Sequence, residues 1–116
     1  MRPITHPHIK DVTVEGILHA FSDPVRVMIY AEIALAECPQ RCSNFLNVKG
    51  KDLPKSTLSQ HFKILREAGL IRSVKNGVTM QNTTRCSELK ERFGELVPTI
   101  LGAYLQQDKK RKSKTR

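Results

Sequence analysis

Apolar residues recur along this chain with the period of a helix in some stretches and of a strand in others. From about Val12 to Phe21, the positions Val14, Ile17, Leu18 and Phe21 follow the i, i+3, i+4, i+7 spacing of one helix face. Asp23-Pro24 then marks a second start, with aspartate as N-cap and proline at the first helical position. This second helix is expected to run to about Glu37, burying Val25, Met28, Ile29, Ile33 and Ala36, and Pro39 ends it. A short third helix fits about Cys42–Val48, with Ser43 as an early cap and Asn44-Phe45-Leu46 as its contact with the next helix. Lys49–Pro54 holds the Gly and Pro of a turn. The last helical region starts near Cys86, with Ser87 as N-cap and Glu88 and Glu91 in its first turn. Leu89, Phe93, Leu96, Val97, Ile100, Leu101, Tyr104 and Leu105 form its stripe, and Pro98 should kink or split it near Val97.

The most informative stretch is KSTLSQHFKILREAGL, residues 55–70. At about 3.6 residues per turn, Leu58, Phe62 and Leu65 fall on one stripe, with Ile64 and His61 beside it. Ser56, Ser59, Gln60, Lys63 and Glu67 share the opposite face. Short hydroxyls, an amide and a lysine suit a helix laid in a DNA major groove, where Ser and Gln bond base edges and Lys or Arg neutralises phosphate. An ordinary surface helix would show the same amphipathic stripe. The residues after the helix separate the two readings. Gly69 is placed as a helix stop in the left-handed conformation. Residues 70–75 then read as a strand, Asn76-Gly77 as a type I′ hairpin turn, and Val78–Thr84 as a β-branched return strand. A candidate recognition helix running directly into a hairpin, with Arg72 and Lys75 near its tip, is the winged helix-turn-helix arrangement.

Residues 19–75 resemble the ArsR/SmtB-like family of bacterial winged-helix repressors. The resemblance rests on HAFSDPVRVMIYAEI (19–33), STLSQHFKILREAGLI (56–71) and the hairpin with its Asn-Gly turn. It covers about half of the chain. Phe62 stands where the family usually has leucine, and Pro54 where many relatives have a capping residue, so Ser56 becomes the expected cap. The resemblance implies a mainly α fold with a small β-hairpin that dimerises through its first and last helices. Val14, Ile17, Phe21, Phe93, Val97, Ile100, Leu101 and Tyr104 would supply that interface, though part of the stripe also suits the chain's own core. It also implies that Arg26 orients the second helix or meets the DNA backbone; a plain surface arginine fits the sequence equally well.

Charge sharpens this picture. The chain carries 20 Lys+Arg against 11 Asp+Glu. Seven of the basic residues lie between 49 and 75 against two acids, and six lie between 108 and 116 against one. A basic patch over the helix-turn-helix and wing is the footprint of a nucleic-acid binder. The expected organisation is a flexible N-terminus (1–10), a winged helix-turn-helix domain (11–107) and a basic disordered tail (108–116). That tail either aids solubility or adds salt-sensitive affinity without sequence preference. No apolar run is long enough to cross a membrane and no signal-peptide core opens the chain, so a cytoplasmic location is expected.

The family often senses a metal, but neither of two common ligand patterns is present: no Cys-Val-Cys-like motif, and no histidine in residues 87–107. The remaining thiols are Cys38, Cys42 and Cys86. They are three separate thiols, a Cys38–Cys42 redox pair, or a soft-ion site. His6-Pro7-His8 holds two metal-capable rings with no acid or thiol nearby. No cofactor or enzymatic motif is found: no phosphate loop precedes a helix, and His19 and His61 lack nucleophile–acid partners. His61, at the edge of the core stripe, is expected to position the recognition helix. The sequence therefore points to a sequence-specific DNA-binding regulator, a homodimeric repressor on an inverted-repeat operator. Ser56, Thr57, Ser59 and Gln60 would read bases, and Lys55, Lys63, Arg66, Arg72 and Lys75 would meet phosphate. Its partners would be double-stranded DNA and a second copy, with no membrane. A non-specific chromatin-like DNA binder and a winged-helix protein-interaction module are the alternatives.

Overall fold

A computed structural model describes residues 5–35, 40–41, 47–48 and 51–114. A single 3-10 turn at Ile9–Asp11 leads into helix α1 (Val14–Ala20), and helix α2 spans Pro24–Leu35. The short strands β1 (Gln40–Arg41), β2 (Asn47–Val48) and β3 (Lys51–Asp52) come next, before helix α3 (Lys55–Glu67). The hairpin β4 (Ile71–Asn76) and β5 (Thr79–Thr84) precedes helices α4 (Cys86–Phe93) and α5 (Leu96–Lys114). β1 pairs antiparallel with β5, giving a three-stranded sheet of order β1-β5-β4.

Local chemistry explains most of the boundaries. The Thr13 hydroxyl accepts the Gly16 N–H at 3.1 Å, so α1 begins at Val14, two residues later than its apolar spacing suggests. The Asp23 carboxylate accepts the Val25 N–H at 2.8 Å, with Pro24 first in α2 as expected. At the other end of α3, Leu70 N–H bonds the Leu65 carbonyl and Gly69 N–H bonds that of Arg66. This is a Schellman closure with Gly69 at φ 82. A Cβ on Gly69 would also collide with Val12, so the position demands glycine twice over.

Several expectations are corrected. Asn47–Val48 is not the end of a third helix but a strand paired with Lys51–Asp52; residues 42–46 lie outside the described residues. The hairpin turn is one residue later than expected. Asn76 pairs with Thr79, so Gly77 and Val78 are its central residues, with Gly77 first and at φ 66. Arg85, not Ser87, is the N-cap of α4. The break in the last stripe falls at Gly94 (φ 65), ahead of Pro98. Pro98 then sits in the first turn of α5, where its missing N–H costs no helical bond. Residues 108–114 continue α5 rather than form a disordered tail, and after Gly102 they contain no helix breaker.

The core gathers Ile17 of α1, Ile29 and Tyr30 of α2, Phe62 and Leu65 of α3, Leu70 and Ile71 at the start of the wing, and Leu89 of α4. Phe21 packs edge-on against Tyr30, with ring centroids 5.4 Å apart. Residues 5–12 are tied to this body rather than loose. The backbone N–H of Ser73 donates to His6 Nε2 at 2.9 Å, and Arg85 Nη1 donates to the Pro7 carbonyl at 2.7 Å. Arg92 donates to the carbonyls of Ile9 and Val12.

Candidate nucleic-acid interface

Helix α3 divides cleanly into two faces. Leu58, His61, Phe62 and Leu65 are buried. Lys55, Ser56, Thr57, Ser59, Gln60 and Lys63 are all exposed, in agreement with the spacing. Pro54 is the N-cap and supplies no side-chain bond. Ser56 is therefore the second residue of the helix and not its cap, which leaves its hydroxyl on the outer face. Lys63 lies 3.9 Å from Glu67, with both side chains more than half exposed. Such a solvated pair contributes little and leaves the lysine available to phosphate.

The orientation of α3 is set from behind by Arg26, which is buried. Arg26 Nε donates to the Ala20 carbonyl at 2.6 Å, and Nη2 donates to that of His19 at 3.4 Å. Nη1 lies 3.2 Å from His61 Nδ1 and 3.8 Å from an Asp23 carboxylate oxygen. One guanidinium thus joins the end of α1, the cap of α2 and the inner face of α3. This settles both histidine and arginine as positioning groups. Arginine has no lone pair to offer, so His61 Nδ1 must accept and its proton sits on Nε2. Burial, aided by the positive Arg26, lowers the His61 pKa against the opposing pull of Asp23.

The five basic candidates divide. Lys55, Lys63 and Lys75 are exposed. Arg66 is half-buried and donates to Ser73 Oγ at 3.4 Å. That hydroxyl donates in turn to Asn82 Oδ1 at 2.6 Å, so Arg66 stitches α3 to both strands of the wing. Arg72 is exposed but sits 3.4 Å from Glu88. At the wing tip, Val78 is fully exposed.

The expected interface stripe is also divided. Ile17 and Val97 belong to the chain's own core, at 0% and 4% exposure. Val14 is exposed, while Phe21, Phe93, Ile100, Leu101 and Tyr104 are half-buried. Leu18, one turn from Val14, is exposed at 52%. Cys86 is exposed at the start of α4; Cys38 and Cys42 lie outside the described residues. His6 and His8 each accept a backbone N–H, from Ser73 and Lys10 respectively. Sequence reasoning missed Ser73, Asn82 and Arg85, and gave His6 and Glu88 other roles. Arg85 and Glu88 are only three residues apart, but His6–Ser73 and Arg85–Pro7 lie too far along the chain for any local period to reveal them. The one visible signal was polar Ser73 and Asn82 at inward positions of otherwise paired strands.

Residues 21–74 match the helix-turn-helix domain family. No curated protein matches the chain. Among solved structures, an ArsR family transcriptional regulator is 20% identical with a TM-score of 0.56, covering 97% of this chain and 100% of its own. An ArsR-like transcriptional regulator from Rhodococcus sp. RHA1 is 21% identical (TM-score 0.55), covering 85% of each chain. The transcriptional repressor BigR from Xylella fastidiosa is 22% identical (TM-score 0.57), covering 81% of this chain and 85% of its own. The chain has the winged helix-turn-helix fold of these ArsR-like structures. Among the described residues, no helix is long and apolar enough to cross a membrane.

Proposed function

We propose that this chain is a sequence-specific, DNA-binding transcriptional regulator that works in the cytoplasm as a homodimeric repressor on an inverted-repeat operator. One observation carries the reading. The whole outer face of α3 is polar and exposed, while its inner face is locked by Phe62, Leu65 and the Arg26–His61 contact. A rigid helix with unburied hydroxyls, an amide and lysines is built to read a groove. Ser56, Thr57, Ser59 and Gln60 meet base edges. Lys55, Lys63 and Lys75 meet phosphate, and Arg72 joins them from the wing. Arg66 serves mainly to hold the wing. The names of the three structural neighbours described above, each a transcriptional regulator or repressor, support the same class.

Dimerisation uses the exposed and half-buried part of the stripe, Val14, Phe21, Phe93, Ile100, Leu101 and Tyr104, with Leu18 added by its exposure. It sets two copies of α3 about one DNA turn apart. The first test is selection of bound sequences from a random duplex pool at physiological salt, with the reduced protein. An enriched inverted repeat is expected. Retention without an enriched motif would favour a non-specific DNA binder, and no retention a protein partner.

A further inference from the structure

We propose that Glu88 is a positioning residue for the wing: it holds Arg72 in waiting and surrenders it to a DNA phosphate. The inference rests on the DNA-binding reading and deepens it. Glu88 has two arginine partners of unequal quality. Arg85 grips it at both oxygens, Nε to Oε1 and Nη2 to Oε2, each at 3.1 Å. The Arg85 side chain is only 3% exposed, and its remaining nitrogen is anchored on the Pro7 carbonyl. Arg72 touches the same carboxylate at one point, at 3.4 Å, and its side chain is 48% exposed.

This asymmetry makes the contact exchangeable. Glu88 is fixed and charge-balanced by Arg85 whether or not Arg72 stays. Arg72 can therefore leave without stranding a carboxylate. A phosphate offers it two oxygens in the planar geometry that a guanidinium matches, in place of one long bond. The Arg85 fork, with Arg72 adding to it, keeps the Glu88 carboxyl below the usual carboxylate range. The tether is thus fully charged at neutral pH. Glu88 both aims Arg72 and competes with DNA for it. Because the contact is to phosphate, the competition is blind to base sequence.

A double-mutant cycle tests this. Glu88→Gln keeps a carbonyl acceptor for Arg85 and weakens the hold on Arg72. It should tighten binding about two- to fivefold, the range set by an exposed ion pair, equally on the selected duplex and on a scrambled one. In an Arg72→Gln background the same change should do nothing. Equal tightening in both backgrounds would assign the effect to net charge and overturn the proposal, as would no tightening at all with an unchanged urea midpoint. A variant-free readout covers the case where Glu88→Gln disturbs folding. On adding duplex to the unsubstituted protein, the Arg72 side-chain Nε–H signal should move while that of Arg85 stays; an unmoved Arg72 signal at saturation overturns the exchange. Failure of the unsubstituted chain to bind any duplex would sink the DNA-binding reading itself. Binding with a null cycle would sink only the role of Glu88.

Discussion

The outer face of α3 and the base of the wing lie next to each other in sequence and treat their polar groups in opposite ways. Along α3, hydroxyls, an amide and lysines stand in solvent, and among the described residues the one side-chain pair on that face is the loose Lys63–Glu67 contact. At the wing base, His6, Arg66, Ser73, Asn82, Arg85 and Glu88 are bonded to one another or to backbone. On the proposed function, the contrast separates a reading surface from its mount. The hydroxyls and amide of α3 that would bond DNA stand in solvent in the free protein. Groups that hold that helix and the wing together are satisfied by one another, and at the buried Ser73–Asn82 bond low dielectric makes a missing partner expensive.

Substitutions should respect that division. The largest effect is expected at Arg26. Arg26→Ala removes a buried donor from the Ala20 carbonyl and from His61, and should cost about 3 kcal/mol in urea unfolding. Arg26→Lys should not restore it, since lysine lacks the fork; full rescue would show that charge alone matters there. Gly69→Ala should cost about 2 kcal/mol from the left-handed backbone, and more from the collision with Val12. A loss of only a few tenths by the same measurement would mean that the helix end relaxes.

On the reading face the pattern reverses. Gln60→Ala should leave the unfolding midpoint in place yet lose roughly 1–3 kcal/mol of operator affinity and relax sequence preference. Equal losses on operator and random duplex would remove Gln60 from base readout. Lys63→Ala should weaken both duplexes and flatten the salt slope by about one unit; an unchanged slope would take it off the phosphates.

The mount also predicts a mild acid sensitivity. His6 and His61 both have pKa values lowered from 6.5, chiefly by burial, and each uses a ring lone pair as an acceptor. As pH falls below 6.5, the unfolded chain takes up protons that the folded chain refuses. Stability therefore falls through the window between 6.5 and the lower folded values. Urea midpoints measured across that window should decline, and His6→Gln with His61→Gln should flatten the decline. A midpoint insensitive to pH in the unsubstituted chain would show that neither ring is held neutral.

Much of this molecule was legible in short windows. The two faces of α3, the Asp23-Pro24 start, the Gly69 stop and a hairpin at Gly77 all follow from period, capping and backbone sterics, which act within a few residues. The errors came where equally local signals competed. Thr13 captured the start of α1, and the hairpin pairing put Asn76 in the strand and Val78 in the turn. A third helix was expected where Asn47–Val48 instead pairs as a strand.

What tertiary structure alone decided was the partnership of distant residues. Arg26 meets His61 across 35 positions, His6 meets Ser73 across 67, and Arg85 meets Pro7 across 78. The same closure drew Ile17 and Val97 into the core while leaving Val14 and Leu18 outside it. A periodic stripe records that a face is apolar, not which neighbour covers it. That choice is made when the chain closes its long loops, because only then does burial reward one pairing over another.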